Sequence, residues 1–172
     1  MTRFVLPLVM ALAFISARVS ADSHLKNYTL QNSEGKPIQL TDLKGDYIFI
    51  SFIYSHCPVP KMCPLTISLN RRVFKLWKER LGSVPLKFLI VTLDPANDSP
   101  AIMKAYGKKM GLTDPAFILA TGDEQTISDF SSEFNAIGFP SGNMIAHNSK
   151  SILVGPSLLP LKDYKDNEWS PD

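Results

Sequence analysis

The order of local patterns along the chain predicts an α/β sandwich, with helices laid on a mixed central sheet. Three observations carry that expectation. The run Tyr47-Ile48-Phe49-Ile50-Ser51-Phe52-Ile53-Tyr54 is almost wholly β-branched and aromatic, as in a strand buried on both faces. Beyond it, strand-like and helix-like segments alternate. The 172 residues are 45% apolar and 20% charged, enough apolar material for a single core and far from the composition of a disordered chain.

Each element has its own signal. From Tyr28 to Leu40 the chain reads as two short strands around a turn at Glu34-Gly35, a hairpin that leads through a short connection to Gly45. The buried strand Tyr47–Tyr54 follows. Leu65, Leu69, Val73, Leu76 and Trp77 then recur at helical spacing between Arg71, Arg72, Lys75 and Lys78, until Gly82 stops the pattern. Leu86 to Leu93 is a second buried strand. Ser99-Pro100 is a cap followed by a first-turn proline, opening a helix that Gly111 closes. A strand at Phe117 to Ala120 and a helix from about Asp123 to Asn135 come next. Met144–His147 and Ile152–Val154 read as two strands paired around the turn Asn148-Ser149-Lys150. At the end, Ser170-Pro171 has the form of a helix start, which predicts a closing helix that the 172 residues do not include.

Residues 1–21 read as a signal peptide. Arg3 gives a positive start, Phe4 to Ala17 is an apolar stretch of 14 broken only by Pro7, and Val19-Ser20-Ala21 supplies small residues at the cleavage positions. Cleavage after Ala21 would leave residues 22–172 as one domain in an extracytoplasmic, oxidising compartment, by expectation the periplasm; left uncut, the segment would tether that domain to the membrane. The cleaved form would begin Asp22-Ser23-His24, a candidate square-planar Cu(II) site made by the amine, two amides and the imidazole. Taking Arg3 and Arg18 from the 18 basic residues leaves 16 against 16 acidic ones. A neutral chain without a basic run has no electrostatic footprint for a phosphate backbone, so nucleic acid is not an expected partner.

The two cysteines lie together in Ser55-His56-Cys57-Pro58-Val59-Pro60-Lys61-Met62-Cys63-Pro64, between a strand end and a helix start. There the unpaired N–H groups and the helix dipole favour a thiolate, which predicts reactive sulfur at both positions. Five intervening residues are too many for a redox C-x-x-C loop, and the prolines stiffen the segment. A purely structural disulfide across so short a loop would add only about 2 kcal/mol. Functional side chains of an α/β sheet gather at the carboxyl ends of its strands, where His147 can meet the cysteine loop. Two thiolates and an imidazole are a soft, open donor set suited to copper, whereas structural zinc calls for a fourth protein ligand.

The stretch Phe52-Ile53-Tyr54-Ser55-His56-Cys57-Pro58 through Cys63-Pro64-Leu65-Thr66, then Val91-Thr92-Leu93-Asp94-Pro95-Ala96-Asn97-Asp98-Ser99-Pro100, Lys104-Ala105-Tyr106, and His147 ahead of an Ile-Leu-Val strand, resembles the Sco/SenC family. That resemblance implies a thioredoxin-like three-layer sandwich with an added N-terminal hairpin. It implies a copper site of Cys57, Cys63 and His147, with Asp98 as an acidic neighbour. The role it implies is supply of copper to, or reduction of cysteines in, the copper centre of cytochrome c oxidase. The partner would then be an oxidase subunit or another copper-accepting protein. Two departures stand out: five residues separate the cysteines where three are usual, and Asn148 follows the histidine where serine is usual. The longer spacing predicts a wider sulfur separation or a bulged loop. The functional expectation is an extracytoplasmic copper metallochaperone, binding Cu(I) or Cu(II). Its rival is a thiol-disulfide oxidoreductase in which Cys57 and Cys63 cycle as a catalytic pair without need of His147.

Overall fold

A strand with no wet face can sit only in the middle of a layered structure, and β3 (Tyr47–Ile53) does so in the computed structural model, which describes residues 25–142 and 144–171. In chain order the other elements are β1 (Thr29–Asn32), β2 (Pro37–Gln39), α1 (Cys63–Leu81), β4 (Leu86–Thr92), α2 (Pro100–Lys109), β5 (Phe117–Thr121), α3 (Glu124–Glu133), β6 (Gly138–Ser141), β7 (Met144–His147), β8 (Lys150–Val154) and β9 (Pro160–Lys165). Seven strands form one sheet in the order β2-β1-β5-β4-β3-β8-β9. Its centre, β5-β4-β3, is parallel, and the flanks β1, β2, β8 and β9 pair antiparallel. This is the expected mixed sheet.

Alternation along β3 divides the core. Ile48, Ile50 and Phe52 point to one face, where they meet Ile127, Phe130 and Phe134 of the α3 region. Phe49 and Ile53 point to the other, with Phe88, Ile67 of α1 and Met103 of α2. Helices therefore cover both faces and make three layers. Ser51 is the polar exception on β3, fully buried; its hydroxyl lies 2.8 Å from Ser151 Oγ and 2.9 Å from the donating Asn70 Nδ2. Those bonds satisfy the polar atoms that burial strips of water.

One strand expectation needs correction, and two strands were not anticipated. β7 and β8 do not pair with each other. β7 pairs antiparallel with β6 in a separate two-stranded sheet, and β8 lies between β3 and β9. The stretch Asn148-Ser149 thus crosses between sheets. β6 escapes a sequence reading because Gly138-Phe139-Pro140-Ser141 contains two residues depleted in strands and is exposed throughout, with no buried face to impose alternation. β9 escapes it because an edge strand with nearly every residue exposed carries no apolar period. At the other end, Ser170 and Pro171 are not helical. Trp169 instead packs its ring 5.8 Å from Phe49 and 4.6 Å from Tyr164. The N-terminal segment 1–21 and the candidate site at Asp22-Ser23-His24 lie outside the described residues.

The β6–β7 hairpin is fastened to the body by Asn148. Its Nδ2 donates to Asn135 O at 2.8 Å, and its Oδ1 accepts from Ile137 N at 2.9 Å. At Gly138 the hairpin comes so close that an added Cβ would stand 3.3 Å from both Leu93 and Ile145.

Phe52 is fully buried between Phe130 and Phe134, with ring centroids 5.8 and 6.0 Å away. Phe52→Ala is expected to lower stability by about 3–5 kcal/mol in urea unfolding. A loss below about 1 kcal/mol would contradict this account of the core.

Candidate metal and thiol site

Where β3 ends, Tyr54 leaves the sheet and the cysteine loop begins. Cys57 N donates to Tyr54 O at 3.4 Å, and Met62 N donates to Val59 O at 3.0 Å, so the extra residues are folded into a turn just ahead of α1. The longer spacing therefore bulges the loop. Cys63 opens α1 and is fully buried, whereas Cys57 is half-buried; both are free thiols.

His147, the last residue of β7, faces them. Its Nε2 lies 3.4 Å from Cys63 Sγ and 4.0 Å from Cys57 Sγ, and the three donor atoms lie within 4.8 Å of one another. A metal bound at ordinary bond lengths to sulfur and nitrogen requires donors about 3.5–4 Å apart, so the arrangement is close to a ligand set. On the far side of the ring, Nδ1 is 2.9 Å from Asn148 O. A carbonyl only accepts, so Nδ1 carries the proton and the Nε2 lone pair is left facing the sulfurs. Burial pushes the imidazole pKa down, against a smaller upward effect of the Asn148 bond. The ring is therefore neutral at pH 7.

Cys63 corrects one expectation. Burial pushes its thiol well up, and the backbone amides of Tyr54 and Cys63, which favour the thiolate, offset this only in part. Cys63 is thus held toward the protonated thiol even at the start of a helix, because desolvation outweighs the local dipole.

Asp98 lies beneath the loop and is fully buried. Its Oδ2 accepts from Ser55 N at 2.9 Å and from Thr92 Oγ1 at 2.5 Å, while Oδ1 accepts from Ser55 Oγ at 2.5 Å. The carboxylate thus ties the ends of β3 and β4 together two residues ahead of Cys57, and it is not one of the three converging donors. His56 turns away from the sulfurs, its Nε2 3.2 Å from Asp94 Oδ2.

Tyr54 was not singled out from sequence, where it reads as the last residue of a buried strand. It is fully buried, with its ring edge-on to His56 at 5.1 Å and to His147 at 5.4 Å. Burial pushes its phenol up to about 12, as does a hydrogen bond with the Cys57 side chain, while a backbone bond from Ile145 acts the other way. A hydroxyl at the end of a largely apolar strand that leads into two cysteines was the available signal.

A family model described as SCO1/SenC matches residues 17–171. The SCO1 protein homolog of Bacillus subtilis is 32% identical over 149 residues, a match covering 84% of this chain and 75% of that protein. The solved structure of BsSco, described as having a disulfide switch and as a member of the Sco family of cytochrome c oxidase assembly proteins, is 29% identical. It superposes with a TM-score of 0.73 over 85% of each chain. Arabidopsis thaliana ScoI, solved with copper bound, is 22% identical and superposes with a TM-score of 0.74 over 83% of this chain and 88% of that one. The sandwich is thus the thioredoxin-like fold of these structures.

In the reduced, metal-free protein, iodoacetamide at neutral pH is expected to label Cys57 and spare Cys63 until the chain unfolds, as read by peptide mass spectrometry. Equal labelling of both would contradict the burial of Cys63. The raised Cys63 thiol also fixes the sign of a pH effect. Below the ordinary thiol value of about 8.5 both states hold the proton and stability is unaffected; above it the unfolded chain loses the proton first, and stability falls by up to about 1.4 kcal/mol per pH unit. Urea titrations from about pH 8 to 9.5 should show this slope, reduced in Cys63→Ala. An unchanged slope in that variant would assign the effect elsewhere.

Proposed function

Because the chain belongs to the SCO1/SenC family, we propose that it is an extracytoplasmic copper-binding metallochaperone that assists assembly of the copper centre of cytochrome c oxidase. Cys57 and Cys63 bind as thiolates and His147 through Nε2. The observation that carries this reading is the convergence of two sulfurs on one imidazole whose lone pair is already aimed at them. Copper-bound Arabidopsis ScoI and the assembly role given for BsSco support it. A soft set of three donors satisfies Cu(I) and leaves a position through which an acceptor's ligands can enter. Loading releases the protons of the two thiols; delivery to the cysteines of an oxidase subunit, or of another copper-accepting protein, returns them.

The site lies on the domain of residues 22–172, and the segment 1–21 supplies export on this reading. No helix among the described residues is long and apolar enough to cross a membrane. Attachment to a membrane would therefore fall to the leader, if it is left uncut.

A second reading, thiol-disulfide oxidoreductase, is favoured by two free cysteines with sulfurs within 4.8 Å and by the disulfide switch described for BsSco. It needs both cysteines and not His147.

Protein loaded with copper under argon and desalted is expected to keep near one copper per chain, with sulfur-to-metal absorption in the Cu(II) form. Cys57→Ser and Cys63→Ser should each abolish retention, and His147→Ala should weaken it by more than about tenfold. Full retention in any one variant removes that residue from the ligand set. Loss of copper in all forms, with a reversible Cys57–Cys63 disulfide, would favour the oxidoreductase.

A further inference from the structure

The geometry points to Asn167 as a positioning residue that buckles the cysteine loop to the histidine segment through the turn Asp166-Asn167. The inference rests on the reading of Cys57, Cys63 and His147 as one donor set. Both turn residues take the left-handed conformation, with φ of 58° at Asp166 and 54° at Asn167. Non-glycine residues adopt it in succession only when their surroundings hold them there. Asn167 is also nearly buried, in a stretch whose neighbours are exposed.

The surroundings are the two halves of the site. On one side Asp166 N donates to Ser149 O at 3.0 Å, and Ser149 lies one residue past the Asn148 carbonyl that orients His147. On the other, the side-chain amide of Asn167 donates to Met62 O at 3.2 Å and to Lys61 O at 3.4 Å. Its two polar atoms also straddle Thr66 Oγ1, at 3.0 Å from Nδ2 and 3.2 Å from Oδ1. Met62 is the residue before Cys63 and caps α1 without any side-chain bond of its own. The turn that absorbs the longer cysteine spacing is thus pinned from outside, by a residue more than a hundred positions away.

This pinning bears on the choice between metal and disulfide. The sulfurs lie within 4.8 Å of one another and are not bonded, whereas a disulfide requires them to close to about 2.05 Å. To the extent that closure draws the turn ahead of Cys63 toward Cys57, the Asn167 bonds to Lys61 O and Met62 O oppose it. Without them the empty site should oxidise more readily and match a metal less well.

The test measures the full-length, metal-free protein against glutathione. Each Cys57–Cys63 disulfide formed takes two electrons and two protons from the thiols and reduces one glutathione disulfide to two glutathione molecules. Asn167→Gly keeps the left-handed backbone and removes only the side chain. It is expected to shift this equilibrium toward the protein disulfide by about tenfold, and Thr66→Val should shift it less in the same direction. The sulfur-to-Cu(II) absorption should move in both variants. A folded Asn167→Gly protein whose equilibrium stays within about twofold of the parent, or moves toward the dithiol, overturns the proposal. If Asn167→Gly does not fold, Thr66→Val decides by the same criterion. The two readings separate cleanly: a parent protein that retains no copper sinks the metallochaperone, while the glutathione equilibrium still judges the buckle.

Discussion

Burial of β3 on both faces sets the terms for everything at the site. A strand packed against α3 through Phe52 and against α1 and α2 through Phe49 and Ile53 cannot slide by a residue without turning every side chain to the wrong layer. The point at which the chain leaves the sheet is therefore fixed at Tyr54. The cysteine loop starts there, α1 must return across the same face, and Cys63 at the head of α1 is forced inside. The raised thiol of Cys63 follows chiefly from that burial, with the Cys57 side chain pushing the same way.

Much of this was legible in the sequence, for identifiable reasons. The strand Tyr47–Tyr54 and the helix after Cys63 announce themselves because their burial is continuous or strictly periodic, and the described spans follow those patterns closely. The convergence of the cysteine loop with His147 could be anticipated from strand ends alone. What stayed hidden were features without a period. β6 and β9 are exposed strands held by pairing to neighbours, so their residues carry no alternation. Missing β6 misplaced the partner of β7, and with it the way in which His147 is presented. Tyr54 and Asn167 were hidden for a different reason, since each acts through contacts that exist only once distant segments are packed. Asp98 was picked out, but its work of joining Ser55 to Thr92 required the strand ends to be seen side by side.

The site is held by hydrogen bonds that a carbonyl, a carboxylate and a side-chain amide make with its supports. Asn148 O fixes the tautomer of His147, Asp98 fixes the approach to Cys57, and Asn167 fixes the approach to Cys63. Such supports orient the donors before any metal arrives and lower the cost of ordering them at binding. The same site opposes its own charging, because a buried thiol resists losing its proton. Metal uptake must therefore release protons, and occupancy is tied to pH and to the redox state of the two sulfurs. On the proposed metallochaperone reading that opposition helps delivery, since protonation of the freed thiols favours release.

X-ray absorption at the copper edge of the loaded protein tests the central claim most directly, because it counts the atoms bound to the metal. The account predicts a first shell with two sulfurs and one imidazole nitrogen, the nitrogen lost in copper-saturated His147→Ala. A shell of nitrogen and oxygen alone, unchanged by that substitution, would contradict it.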